Sequence, residues 1–137
     1  MKKSTAIKEN EQNSDFIRQI VLESILDKKG NEIVCIDLTQ IAEAVSDKFI
    51  ICEGTSTTQV CGIANGIVEK LAKDFKIYPL HLEGMNSQEW VLLDYFDVVV
   101  HIFLREKRNF YQLEELWSDA EIIYYDEMGN PKNVLTA

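Results

Sequence analysis

Residues 89–104 read Glu89-Trp90-Val91-Leu92-Leu93-Asp94-Tyr95-Phe96-Asp97-Val98-Val99-Val100-His101-Ile102-Phe103-Leu104, and they decide the fold class. Two apolar runs, 89–95 and 97–104, are rich in β-branched and aromatic residues and are separated by a tight turn at Phe96. That pattern predicts two antiparallel strands joined as a hairpin. Period-two alternation puts Trp90, Leu92 and Asp94 on one face of the first strand, and Val91, Leu93 and Tyr95 on the other. If helices cover the second face, Trp90 and Leu92 point outward beside a charge, the profile of a protein-binding hot spot. Trp90 buried under the N- or C-terminal helix fits the alternation equally well, and periodicity leaves both readings open.

Working towards the N-terminus, residues 77–82 (IYPLHL) are strand-like, with Pro79 marking an edge position. Ser56-Thr57-Thr58-Gln59 forms a capping box that opens a helix running to about Phe75. Its apolar stripe is Val60, Ile63, Ala64, Ile67, Val68 and Leu71, and Gly62 and Gly66 would let it approach the sheet. Residues 32–38 and 47–53 read as buried strands, with an ambiguous loop or helical turn between them. Ser14 is placed to cap a helix bearing Phe16, Ile17, Ile20, Val21, Ile25 and Leu26, which Lys28, Lys29 and Gly30 end. Residues 1–13 are polar and are expected to fray.

Towards the C-terminus, a helix over about 107–117 aligns Phe110, Leu113, Leu116 and Trp117, and residues 122–125 add one extended segment. Gly129-Asn130-Pro131 is expected to resist order. The domain is therefore expected to span residues 14–125, with a flexible tail from 126 to 137. An early strand–helix–strand unit with a late hairpin predicts an α/β (α+β) chain with a mixed β-sheet and flanking helices. With so few helices, one sheet face can lack full cover.

A chain of 137 residues suits one domain, large enough to form a core without disulfides or a structural metal. The formal charge of −9, from 23 acidic and 14 basic residues, repels phosphate and favours a basic protein partner over bare nucleic acid. Sequence-specific nucleic-acid binding is not expected. Cys35, Cys52 and Cys61 show no CxxC spacing, and the first two lie in apolar runs, so they read as reduced core thiols. A polar N-terminus and no apolar run of about 18 residues predict a cytoplasmic protein with no membrane partner.

Catalytic signals are weak. Two-metal chemistry wants converging carboxylates, most simply Asp-x-Asp on a strand, and the sequence has none. Asp94 and Asp97 are parted by a turn, and Asp37 stands alone. Gly54-Thr55-Ser56 lacks the remaining glycines and lysine of a phosphate loop. His81 and His101 lie in apolar strands and read as edge or packed histidines rather than general bases. No catalytic residue, metal or cofactor is expected.

The run from Glu83-Gly84 through Glu89-Trp90-Val91-Leu92-Leu93-Asp94-Tyr95-Phe96-Asp97-Val98-Val99-Val100-His101 resembles the hallmark segment of the ribosomal silencing factor (Iojap-like) family. Residues 110–117 (FYQLEELW) are similar to that family's closing helix, and residues 46–56 (SDKFIICEGTS) to its second strand and cap. Phe96 stands where the family usually has Gly, Leu104-Arg105 replaces a His-Pro-like pair, and Asn109 stands where a basic residue is common. The resemblance implies a nucleotidyltransferase-like fold without its active site. It implies docking on the large ribosomal subunit through large-subunit ribosomal protein fourteen, steric block of small-subunit joining, repression of translation, and a homodimer when free. The expected contact residues are Trp90, Leu92, Asp94, Tyr95 and Asp97, with Glu83 and Arg105 nearby. The alternatives are a large-subunit assembly or maturation factor and an active nucleotidyltransferase-like enzyme.

Overall fold

The computed structural model describes residues 2–111, 117 and 119–132, and for residues 2–13 and 109–111 the backbone alone. The elements follow the order α1 (Lys2–Asp27), β1 (Asn31–Asp37), β2 (Lys48–Gly54), α2 (Thr57–Phe75), β3 (His81–Glu83), β4 (Trp90–Asp94), β5 (Val98–Leu104), α3 (Arg105–Tyr111) and β6 (Glu121–Tyr124). Six strands form one mixed sheet in the order β3-β4-β5-β2-β1-β6. The hairpin expected over 89–104 is β4 and β5, paired antiparallel. The parallel pair is β2 with β5, in unbroken register from Lys48↔Val98 to Gly54↔Leu104. β1 and β2 are antiparallel, and the loop between them carries only turns and no crossover helix.

One face of the sheet carries α1 and α2. Ile17, Ile20, Val21, Leu22 and Ile25 of α1 are buried against the sheet and against Val60, Ile63, Ala64, Ile67 and Leu71 of α2. At about 1.5–3 kcal/mol for each buried aliphatic side chain, this packing outweighs the tenths of a kcal/mol that separate helix propensities. It is what holds the helices in place. α1 starts a dozen residues ahead of Ser14, through the stretch expected to fray. That stretch has no Gly or Pro, and Lys, Ala, Glu and Gln favour the helix. Ser14 is consequently no cap. It is buried inside α1, where Lys48 Nζ donates to its Oγ at 3.3 Å and also meets Asp15 at 3.2 Å.

The end of α1 and the start of α2 are closed by one side chain. Ser56 Oγ accepts the Gln59 N–H at 3.1 Å, as in a capping box, while Gln59 Oε1 accepts the Thr55 N–H at 2.7 Å. Gln59 Nε2 also donates to the carbonyls of Lys28 and Lys29, satisfying orphan acceptors at the end of α1. The left-handed residue there is Lys29 (φ 61) and not Gly30. Gly30 is required for space, since a Cβ would stand 2.5 Å from Ile25 Cγ2. Gly62 and Gly66 do not serve close approach to the sheet: Gly62 opens on empty space and Gly66 faces the Lys28 stem.

The second face holds a smaller core of Val34, Ile36, Leu38, Ile51 and Phe103, with Ile41, Ala44, Phe49, Trp90, Trp117, Ala120, Ile122 and Tyr124 partly buried around it. β6 is the extended segment expected near residues 122–125, and it pairs with β1. The chain then turns back at Asp126, whose carboxylate accepts the N–H groups of Met128 and Asn130, and Tyr125 bridges to Pro131. Asp126 thus orders the segment expected to resist order, by an Asx turn. Leu113 and Leu116 of the expected last helix lie outside the described residues. Among the described residues, no helix is long and apolar enough to cross a membrane.

Phe96 occupies the β4–β5 turn with φ 73, in the left-handed region that favours glycine, and its ring is 58% exposed. A bulky residue pays about 1–2 kcal/mol there, against about 0.5–1 kcal/mol of extra unfolded-state freedom for Gly. Phe96→Gly is therefore expected to stabilise the fold by about 0.5–1 kcal/mol, read as a higher urea midpoint. An unchanged or lower midpoint would show that the exposed ring contributes packing that offsets the strain.

Candidate docking surface

Cross-strand register assembles the surface from β3, β4 and β5. Directly paired residues share a face, so Glu83, Leu92, His101 and Ile51 form one row across β3, β4, β5 and β2. Trp90 and Phe103 form a second row, and His81, Asp94, Val99 and Phe49 a third. All three rows lie on the face away from α1 and α2, whereas Val91 and Leu93 are fully buried under the helices. The alternation thus holds, and the two readings of Trp90 resolve to a position between them: it is half-buried.

Its surroundings explain why. The Trp90 indole stacks on Phe103 with ring centroids 5.2 Å apart and planes 24° apart, and its Nε1–H donates to His101 Nδ1 at 3.1 Å. His101 is 4% exposed. It packs edge-on to Phe49 at 5.0 Å, and Phe49 in turn meets Trp117 at 5.9 Å. An aromatic strip therefore runs from the open edge of the sheet inward. His101 Nε2 is buried with no hydrogen-bond partner among the described residues, a position that costs about 1–3 kcal/mol when unmatched.

The expected contact residues divide into those on this face and those elsewhere. Leu92 and Asp94 are half-buried beside Trp90, and Glu83 is exposed on edge strand β3, cross-strand from Leu92. Gly84 (φ 89) keeps the β3–β4 loop against Trp90, since a Cβ there would stand 1.9 Å from the Trp90 carbonyl oxygen. Asp94 is partly engaged, accepting the Phe96 N–H at 2.8 Å. Asp97 lies past the turn, half-buried, and its carbonyl accepts the N–H groups of Asp47 and Lys48. Burial, with Asp47 beside it, pushes its carboxyl above the usual range.

One expectation is corrected. Tyr95 belongs to the opposite face: it is 6% exposed among the residues packed under the helices, and burial pushes its hydroxyl up to about 12. The strand alternation that puts Trp90 outward necessarily turns Tyr95 inward. Arg105 is exposed, with its Nε 2.7 Å from Glu53 Oε2, while Arg108 meets Glu53 Oε1 at 3.1 Å and the Glu32 carbonyl. The Glu53 side chain, 8% exposed, thus gathers two guanidinium groups and ties α3 to the sheet. Sequence reasoning passed over Glu53 and the bond from Trp90 to His101. An acid ending an apolar strand followed by two arginines was the available signal for the first, and none existed for the second.

Burial pushes the Cys35 and Cys52 thiols up to about 11 and about 12, which keeps them protonated, and Cys35, Cys52 and Cys61 are free. Among the described residues, no group of three or more His, Cys, Asp or Glu is arranged to hold a metal.

Burial also lowers the His101 imidazole from 6.5 to about 4. An unfolded chain takes up that proton near 6.5 and the folded chain resists it, so this contribution leaves stability whole above pH 6.5. It lowers stability as pH falls from 6.5 towards 4, by up to about 1.4 kcal/mol for each pH unit. His101→Phe is expected to flatten that part of the profile. Urea midpoints between about pH 7 and about pH 4.5 check it, and parallel losses in the two proteins would contradict a neutral buried histidine.

The family described as "Ribosomal silencing factor during starvation" matches residues 11–136. The chain is 38% identical over 114 residues to the "Ribosomal silencing factor RsfS" of Bacillus subtilis, covering 83% of this chain and 95% of that one. It is 29% identical over 101 residues to the mouse "Mitochondrial assembly of ribosomal large subunit protein 1", covering 72% of this chain and 44% of that one. A crystal structure of a Chromobacterium violaceum protein superposes with a TM-score of 0.71 at 34% identity, covering 76% of this chain and 85% of that one.

Proposed function

The chain belongs to the ribosomal silencing factor family, and from that premise we propose that it docks on the large ribosomal subunit through the open face of β4. The docked chain occupies ground that the small subunit needs, and so represses translation by steric exclusion rather than by catalysis. The observation that carries this reading is the half-buried Trp90–Leu92 pair rimmed by Glu83 and Asp94, on the sheet face that the helices leave open. An apolar anchor inside an acidic rim fits a basic protein surface. Large-subunit ribosomal protein fourteen is the partner that the family resemblance points to.

Charge supports the same choice. A chain of net charge −9 is repelled by the rRNA around its target, which disfavours every phosphate-lined site relative to a protein one. The name of the mouse relative, which refers to assembly of the mitochondrial large subunit, favours maturation of large subunits as a second reading on the same particle.

Among the described residues Leu92 and Glu83 make no side-chain hydrogen bond or ion pair, so changing them spares the aromatic strip. Leu92→Arg with Glu83→Lys is expected to weaken co-sedimentation with isolated large subunits at least about tenfold, or about 1.4 kcal/mol. The unaltered chain, added to dissociated subunits, is expected to leave fewer joined ribosomes in a sucrose gradient. Unchanged co-sedimentation of the double variant would remove this face from the contact.

A second copy is the other partner in this reading. β3 ends the sheet, and Tyr78 and Leu80 ahead of it and Leu82 within it are 63%, 61% and 44% exposed. An antiparallel two-fold pairing centred on Leu82 would set His81 of one copy against Glu83 of the other, a self-complementary arrangement. Leu82→Lys is then expected to shift the free protein from dimer to monomer in analytical ultracentrifugation. A dimer of undiminished stability would place the interface elsewhere.

A further inference from the structure

Trp90 carries a polar atom that a partner could in principle use, and the fold has already spent it. We propose that His101 is the positioning residue of the docking surface: by accepting the Trp90 indole N–H on Nδ1, it sets which edge of that indole a partner meets. This rests on the docking reading given above.

Geometry and tautomer chemistry support the assignment. The Nε1···Nδ1 distance is 3.1 Å, and the two rings lie 5.8 Å apart with planes 31° apart, so the bond comes from a neighbouring strand and not from a stack. His101 is 4% exposed, so it cannot itself be the contact and must act through another residue. Its own ring is fixed by Phe49 at 5.0 Å and by Phe103 at 6.3 Å and 9°, which gives Trp90 a rigid acceptor. A neutral imidazole has one proton, and with Nδ1 accepting, that proton sits on Nε2. There it has no partner among the described residues. A phenyl or leucyl side chain would fill the same place without an orphaned donor, so packing alone does not account for a histidine in a run otherwise composed of Val98, Val99, Val100, Ile102, Phe103 and Leu104. What the histidine adds over those residues is the acceptor. Burial keeps the ring neutral near pH 7, so the acceptor persists there.

A fixed indole raises affinity by lowering the ordering cost at docking. The test compares three variants of the full chain in binding to isolated large subunits. His101→Phe keeps an aromatic ring and removes the acceptor. His101→Asn returns an oxygen to about the place of Nδ1, and His101→Gln carries its polar atoms out to about the place of Nε2. His101→Phe and His101→Gln are expected to bind about fivefold more weakly, the worth of one hydrogen bond, with His101→Asn close to the unaltered chain. The Trp90 indole N–H, followed by proton–nitrogen correlation spectra, is expected to be protected from exchange in the unaltered chain and in His101→Asn only. If His101→Phe does not fold, the Asn and Gln variants decide the matter, since both place an amide in the same site. Equal affinity of His101→Asn and His101→Gln, with Leu92→Arg/Glu83→Lys impaired, would overturn the positioning role and leave the docking face standing. Loss in none of the variants would overturn the docking face itself.

Discussion

Everything in this molecule hangs on the parallel pairing of β2 with β5. The two strands are central, β5 is buried on both faces from Val98 to Phe103, and seven consecutive residue pairs keep their register. Side chains on a strand alternate, so a slip of one residue would carry His101 and Phe103 under the helices and turn Val100 and Ile102 the other way. The cores on the two faces have different compositions, one built of aliphatic side chains from α1 and α2 against the sheet and the other of aliphatic side chains from β1 and β2 with Phe103, ringed by partly buried aromatic ones. Neither would accept the other's residues. Burial on both sides therefore specifies register more strongly than backbone bonds alone could.

The helices and loops are then attached by polar ties at the ends of strands. Gln59 joins the end of α1 to the start of α2 through three backbone groups. Glu53 draws Arg105 and Arg108 together and so ties α3 to the end of β2. Lys48 reaches from the start of β2 to Ser14 and Asp15. In each case a charged or amide group is taken partly out of water and satisfied by specific partners. That is the condition under which buried polar groups specify geometry instead of merely costing stability.

An asymmetry between the two sheet faces connects this architecture to function. Two long helices seal one face, while the other is closed over β1 and β2 but left partly open over β3 and β4. The open part presents Trp90 and Leu92 within an acidic margin. Strand β4 holds them, and behind them stands an aromatic strip of Phe103, His101 and Phe49. Family membership, a net charge of −9 and this half-open face agree with one another: a chain that presents a shaped apolar anchor, repelled by phosphate, is suited to finding protein on a particle made largely of RNA.

Much of this was legible in the residues. The hairpin over 89–104, the α2 cap at Ser56 and its stripe from Val60 to Leu71 follow from local rules of alternation, capping and helical period, which act over a few residues. For the same reason the split of Trp90, Leu92 and Asp94 from Val91, Leu93 and Tyr95 is read directly from the residues, and the same alternation takes Tyr95 out of the contact set that the family resemblance implies. Motif resemblance supplied the family. What the tertiary structure alone decided is how strands pair and which side chains then meet: the antiparallel β1–β2 pair, the tie of Arg105 to Glu53 across 52 positions, and the bond from Trp90 to His101 across the β4–β5 hairpin. Such contacts depend on which strands become neighbours, and that choice is made by the shared burial of the whole sheet, a quantity that no single stretch of sequence contains.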